Sequence, residues 1–193
     1  KGLELLFDSA PDVPTSLVGD PLRLGQVLIN LGSNAAKFTD RGEIIVGVAK
    51  MGEHEGGVDL HFWVRDTGIG MTPEQCAKLF QSFTQADSST TRKYGGTGLG
   101  LAISQRTAML LGGVIQVSSQ KDRGSTFSFE FPARFSDAAK DPPLSSHLCN
   151  LTLHVFSTRS LLTEFIQQHL STYPGTSVCL HDSTETVLAA LSE

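Results

Sequence analysis

Two apolar alternations limit what this chain can fold into. Val58, Leu60, Phe62 and Val64 recur at every second position, and so do Phe127, Phe129 and Phe131. A period of two puts each set on one face of a β-strand, and that face has to be covered. The cover is encoded nearby. Asp20-Pro21 reads as the N-cap and first position of a helix, and Leu24, Val27, Leu28, Leu31 and Ala35 then form one stripe at helical spacing. A second helical stripe, Ala102, Ile103, Met109 and Leu110, ends at Gly112-Gly113. Further strands are expected at Leu3–Phe7, Ile44–Val48 and Val114–Val117, with Glu53–Gly57 as a turn and Pro132 closing the phenylalanine strand. Strands in adjacent pairs joined by short turns, with helices inserted between the pairs, predict an α+β fold. It is a two-layer sandwich of a mixed, mostly antiparallel sheet with helices on one face.

That domain is expected over residues 1–134. Residues 135–149, with Asp141-Pro142-Pro143 and Ser145-Ser146, have linker composition. Residues 150–193 start a second unit. Leu151, Leu153 and Val155 alternate, Leu161, Phe165, Ile166, His169 and Leu170 are spaced as on a helix, Val178–Leu180 is a short strand and Val187–Leu191 opens another helix. This incomplete β-α-β-α segment has too few strands to close a core of its own. A formal charge of −5 disfavours nucleic acid as a partner. No basic-then-apolar leader and no apolar run near membrane-spanning length is present, so the chain reads as an excised fragment without a membrane span. Cys76, Cys149 and Cys179 are scattered and odd in number, which suits reduced thiols better than disulfides or a zinc site.

Four stretches carry candidate chemistry. Asn30, Asn34 and Lys37 project from one side of the first helix, away from its apolar stripe. Asparagine is a poor helix former, so two in register indicate either a solvated face or a ligand. Asp66-Thr67-Gly68-Ile69-Gly70 places an acid at a strand end before two glycines; alone, it fits a tight surface turn equally well. Thr72-Pro73-Glu74-Gln75 is a capping box leading to Phe80 and Phe83, and Thr84–Lys93 is a polar, aperiodic loop. Tyr94-Gly95-Gly96-Thr97-Gly98-Leu99-Gly100 then sets glycines directly before a helix, where free backbone N–H groups and the helix dipole favour an anion. The run matches neither the dinucleotide fingerprint nor the P-loop, because Leu101 stands where each pattern needs another residue.

Together with Gly124-Ser125-Thr126, these stretches resemble, in order and spacing, the ATP-binding catalytic domain of sensor histidine kinases. That domain has the Bergerat-type fold shared with gyrase, the ninety-kilodalton heat-shock chaperone and the mismatch-repair ATPases. The resemblance implies that Asn30 and Asn34 help hold a Mg²⁺ ion bridging the phosphates, with Lys37 near them. It implies that Asp66 accepts a hydrogen bond from the adenine amino group while Gly68 and Gly70 let the backbone turn beneath the base. Phe80 and Phe83 would support a lid, Thr84–Tyr94. Tyr94, Gly96, Thr97, Gly98, Leu99, Gly100 and Thr126 would complete the nucleotide site, and Arg92 or Lys93 would reach the γ-phosphate.

In the hydrolysing relatives a glutamate one turn before the magnesium asparagine activates water; this chain has Asn30 there, and an amide does not take that proton at neutral pH. The pocket is therefore expected to hold ATP for another nucleophile, by positioning and charge neutralisation. In histidine kinases that nucleophile is a histidine on a dimerisation hairpin. None of the six histidines here has the family's His-Glu…Pro context, so the acceptor is expected to be absent from this fragment. The tail resembles the opening of a receiver domain, which implies a hybrid parent. Ser157-Thr158 and Arg159 stand where receivers carry paired acids, so it reads as degenerate. The expected partners are ATP, the parent's hairpin and a response regulator or receiver domain, in a cytoplasmic fragment whose parent can sit in the inner membrane. The alternative reading is a non-catalytic nucleotide-binding or scaffold module.

Overall fold

The computed structural model describes residues 1–80, 99–136, 152–156, 166–167, 176–181, 183 and 186. Within it the two alternating segments are neighbours. Strand β4 (Gly57–Asp66) pairs antiparallel with β6 (Gly124–Phe135), setting Phe62 opposite Phe129 and Asp66 opposite Ser125. The other side of β4 pairs antiparallel with β3 (Glu43–His54), and β1 (Glu4–Ser9) lies parallel to β3 at the edge. Along the second edge of β6, β5 (Gln116–Gln120) pairs at one end and the short β2 (Leu17–Val18) at the other, both antiparallel. The result is a mixed, mostly antiparallel six-stranded sheet.

Helix α1 (Pro21–Phe38) starts as its sequence dictates: the Asp20 carboxylate accepts from the Arg23 N–H at 3.0 Å, and Pro21 takes the first position, where no N–H is needed. Its stripe of Val27, Leu31 and Ala35 is buried, and Leu24 and Leu28 pack beside it. At its other end the Lys1 ammonium donates to the carbonyls of Ala36, Lys37 and Thr39 at 2.9, 3.0 and 3.2 Å, satisfying acceptors that every helix C-terminus leaves open. The core lies between α1 and the sheet. Val58, Leu60 and Val64 from β4 and Phe127, Phe129 and Phe131 from β6 are all buried there. Phe62 stacks on Phe129 and Phe131 with ring centroids 5.5 and 5.7 Å apart. Full burial of each such side chain stabilises the fold by about 1.5–3 kcal/mol.

Helix α2 (Pro73–Lys78) carries the expected capping box, Thr72 N–H to Gln75 Oε1 at 2.9 Å and Gln75 N–H to Thr72 Oγ1 at 3.3 Å. Helix α3 (Gly100–Leu110) ends where the glycine pair predicts. Gly112 adopts φ +91°, and the N–H groups of Gly112 and Gly113 bond the carbonyls of Met109 and Ala108, closing a Schellman motif.

Four local expectations need correction. The apolar stripe of α3 is not its buried face: Ser104, Thr107 and Ala108 are buried, while Ile103, Met109 and Leu110 are 51, 48 and 62% exposed. Small side chains face inward because α3 lies close against α1. The strand expected at Val114–Val117 forms two residues later, as Ile115 is occupied in the crossover by an N–H bond to Gln105 Oε1 and by burial. The turn expected over Glu53–Gly57 contracts to Glu55-Gly56 between two long strands. Finally, β6 runs past Pro132 to Phe135. The Phe135 N–H bonds Gly56 on the β4 side, so by alternation the Pro132 nitrogen faces the opposite edge, in the stretch between the β5 and β2 pairings where no partner needs a donor.

Two compact units are present, Lys1–Ala138 and Ala139–Glu193. In the second, β7 (Thr152–Phe156) and β8 (Ser177–His181) pair in parallel, as the β-α-β-α pattern requires.

Candidate functional site

The C-terminus of α1 and the end of β4 meet at a polar notch. Asp66 is 6% exposed and Thr39 is wholly buried. The Gly68 N–H donates to Asp66 Oδ1 at 2.9 Å, a two-residue turn in which the carboxylate organises the glycine loop that follows it. The Ile69 N–H reaches back to the Phe38 carbonyl at 3.2 Å, tying that loop to the helix end. Burial pushes the Asp66 pKa up, only partly offset by backbone N–H groups of Gly68 and Ser125 and by the Thr39 hydroxyl. Thr39 Oγ1 has no well-formed hydrogen bond among the described residues.

Glycine keeps the notch open. A Cβ on Gly68 would meet the Phe38 carbonyl and lie 2.8 Å from Thr39 Oγ1 and 2.9 Å from Asp66 Oδ1. The two polar side chains therefore border one small space that any other residue would fill. Gly70, at φ +58°, lies so close to the Gln120 carbonyl that no Cβ fits. The loop is clamped from the sheet side as well: Ile69 accepts from the Asp122 N–H at 2.7 Å, and Ser119 Oγ accepts from the Met71 N–H at 2.9 Å while contacting Ser125 Oγ at 2.9 Å.

The second part of the site lies farther back along α1. Helix rise places Asn34 roughly 8 Å and Asn30 roughly 14 Å from Thr39 along the axis. Asn30 Nδ2 donates to Ser104 Oγ on α3 at 2.7 Å, and a Cβ on Gly100 would lie 2.7 Å from Asn30 Oδ1. The amide oxygen thus faces the first residue of α3. Among the described residues no side chain caps that helix, and its first turn carries no acid, so the positive end of its dipole is not offset there. Asn34 is half-buried one turn on, and the Lys37 ammonium sits 5.1 Å from the Phe38 ring centroid.

Comparison with known proteins identifies this arrangement. Residues 19–134 match the family described as histidine kinase-, DNA gyrase B- and HSP90-like ATPase. The chain belongs to that family. Among curated relatives it is 48% identical over 129 residues to the signal transduction histidine-protein kinase BarA of Escherichia coli, covering 67% of this chain and 14% of BarA. It is 48% identical over 148 residues to the sensor histidine kinase GacS of Pseudomonas protegens, covering 75% of this chain and 16% of GacS. The chain thus spans about a sixth or less of these relatives. The crystal structure of full-length ShkA in complex with AMPPNP superposes with a TM-score of 0.74 at 28% identity, over 97% of this chain and 37% of that one. The nucleotide-free catalytic domain of histidine kinase ThkA superposes with a TM-score of 0.51 at 28% identity, over 67% and 80%.

Within this ATPase-family fold, the structure brings Asp66, Gly68 and Gly70 together at one end of α1, and Asn30, Leu99 and Gly100 at the other contact. Arg92, Lys93, Tyr94, Gly96, Thr97 and Gly98, together with Phe83 and the expected lid, lie outside the described residues. Phe80 is half-buried against the core. Thr126 is directed away from Asp66: alternation puts Ser125 on the core side and Thr126 on the opposite face. Sequence reasoning passed over Thr39, Ser104 and Ser125. Ser125 was accessible through its parity with Phe127, whereas Thr39 and Ser104 matter through long-range contacts that leave no local signal. Among the described residues no group of three or more His, Cys, Asp or Glu side chains could hold a metal; the amide oxygens of Asn30 and Asn34 are uncharged candidate ligands. They fit magnesium, which takes few protein oxygens and keeps its waters.

Proposed function

We propose that the first unit binds Mg-ATP and presents its γ-phosphoryl group to a histidine on a helical hairpin of its parent protein, as the catalytic part of a two-component signalling kinase. The observation that carries this reading is the notch: a buried carboxylate, a buried hydroxyl and a glycine, all bordering one space beneath a clamped loop. Asp66 accepts from the adenine amino group, and guanine, which presents an acceptor there, is refused. Thr39 Oγ1 and Ser125 complete the polar wall, directly or through water.

The phosphates then run along α1 toward the N-terminus of α3, and Leu99 and Gly100, together with Tyr94, Gly96, Thr97 and Gly98, are the residues assigned to them. Asn30 and Asn34 offer amide oxygens to Mg²⁺, which when bound neutralises charge on the bridging phosphates. Lys37 and either Arg92 or Lys93 add positive charge. The Asn30 amide accepts no proton at neutral pH and so leaves water unactivated, which favours transfer over hydrolysis. Family membership and the likeness to the AMPPNP-bound ShkA structure support this reading.

We read the second unit as the start of a receiver-like domain. Its parallel β7–β8 pair and the extent of the ShkA superposition support this. Ser157, Thr158 and Arg159, the grounds for calling it degenerate, lie outside the described residues. The partners follow: the parent's hairpin and a response regulator or receiver, reached from the cytoplasm. Among the described residues no helix is long and apolar enough to cross a membrane.

Titration calorimetry of the chain with Mg-ATP and Mg-GTP tests the pocket. Saturable binding of Mg-ATP, with Mg-GTP weaker by at least about tenfold, is expected; no heat at millimolar Mg-ATP overturns the reading. Mixing the chain with the separately made hairpin of its parent should then yield phosphohistidine. ATP binding without phosphohistidine favours a non-catalytic scaffold instead.

A further inference from the structure

The face of the sheet turned away from the core has its own recess, of about 440 Å³, at the β4–β6–β5 end. Register builds it. Arg65, Thr126 and Ser118 are direct cross-strand partners, so their side chains stand in a row about 10 Å long on the outer face. Two residues farther along β5, Gln120 pairs with Gly124, where a Cβ would meet the Asp66 carbonyl, so backbone rather than a side chain forms the floor of the recess there. Arg123, in the turn between β5 and β6, closes the end.

The chemistry of this lining is one-sided. Arg65 and Arg123 form no ion pair among the described residues, although the chain carries a net charge of −5 and most of its other described ion pairs are ordinary surface contacts. Thr126, Ser118 and Gln120 add neutral donors between the two guanidinium groups. The one acid bordering the recess is Asp66, whose carboxylate accepts from the Gly68 N–H and belongs by alternation to the core side. In the turn, Lys121 and Asp122 offset each other's charge. Two planar guanidinium forks across a groove lined with hydroxyls match the oxygens of a phosphoryl group.

We propose that this recess is a second, separate anion site, taking a phosphoryl group presented by a free inorganic anion or by a small phosphomonoester. By alternation the Arg65, Ser118 and Thr126 side chains stand on the face of the sheet opposite the Asp66 side chain, and of the residues assigned to the nucleotide site Asp66, Ser125 and Thr126 border the recess. That explains the orientation of Thr126 without giving it a role toward adenine.

The test is a ¹H–¹⁵N titration of the chain, saturated with Mg-AMPPNP so that the nucleotide site is occupied, with inorganic pyrophosphate, glycerol 3-phosphate and acetate at constant ionic strength. Saturable shifts at the amides of Ser118, Gly124 and Thr126 are expected with pyrophosphate or the monoester, and whichever binds tighter names the source. Acetate should give only a small linear drift. R65Q/R123Q should weaken the phosphoryl ligand about tenfold or more while leaving Mg-ATP affinity unchanged. R123Q alone, in an exposed turn, should weaken it severalfold and covers the case in which the double variant fails to fold. Silent groove amides, an equal response to acetate, or affinity undiminished in R123Q would each overturn the proposal.

Discussion

Two stretches of α1, its C-terminus and the turns that carry Asn30 and Asn34, present polar groups in contrasting ways. At the C-terminal end the chain is closed around Asp66: Thr39 has no exposed surface, Gly68 and Gly70 lie against backbone carbonyls, and the loop between them is bonded to both α1 and β5. In the middle of the helix the groups are more open: Asn30 and Asn34 are only half-buried, and among the described residues no side chain caps the facing end of α3. On the proposed reading the base is selected by shape, because the polar atoms of the notch border a space where nothing larger than hydrogen is tolerated. On the same reading the phosphates are selected by charge, and the Asn30 amide is held in place by one side-chain bond.

Gly70→Ala should show the largest effect. Its Cβ meets the rigid Gln120 carbonyl at a positive φ, so a loss of about 3 kcal/mol in urea unfolding is expected. A loss of under about 1 kcal/mol would break the comparison. Next comes Asp66→Ala, which should lower Mg-ATP affinity by about 1.5–3 kcal/mol in calorimetry; an unchanged affinity would show that the base lies elsewhere.

Asp66→Asn separates binding from folding. Because burial raises its pKa in the folded state, the folded protein holds that proton more tightly than the unfolded chain. The contribution to stability is therefore greatest below the ordinary aspartate range and declines as pH rises through the raised value. At neutral pH the amide should raise the melting midpoint of the nucleotide-free protein while weakening Mg-ATP, two opposite signs from one substitution.

At the open stretch the effects shrink. Ser104→Ala removes the partner of Asn30 Nδ2 and should cost about 0.5–1.5 kcal/mol in stability, with a modest loss of Mg-ATP affinity. Gly100→Ala should leave stability within about 0.5 kcal/mol, since its Cβ displaces only the end of the Asn30 side chain and alanine favours the helix. Its effect belongs in the magnesium dependence of nucleotide binding.

What the sequence disclosed follows the same division between local and distant causes. The Asp20 cap, the α1 stripe, the capping box at Thr72 and the strand ending in Asp66 all depend on residues within a few positions of one another, and they were legible. The inward face of α3 was not. Ile103, Met109 and Leu110 outrank Ser104 and Thr107 on any hydrophobicity scale, and only the approach of α1, with Asn30 needing a hydroxyl partner, turns the smaller residues inward. Likewise, the onset of β5 depends on Gln105, ten residues before Ile115. Among candidate site residues, Asp66 and Asn30 were found from their motifs, while Thr39 entered only when the chain closed over it.

Pro132 carries a consequence for how the protein behaves in a crowded solution. Between its pairings with β5 and β2, β6 has no strand partner among the described residues on that edge; the Gly112-Gly113 turn lies against the Glu130 carbonyl and the Pro132 ring, and the outward backbone nitrogens there are those of Glu130 and Pro132. One is ringed and cannot donate; the other belongs to a charged residue. With the Glu130 carbonyl covered by Gly113 as well, a foreign strand finds almost no ladder to extend along this edge, which works against aggregation there.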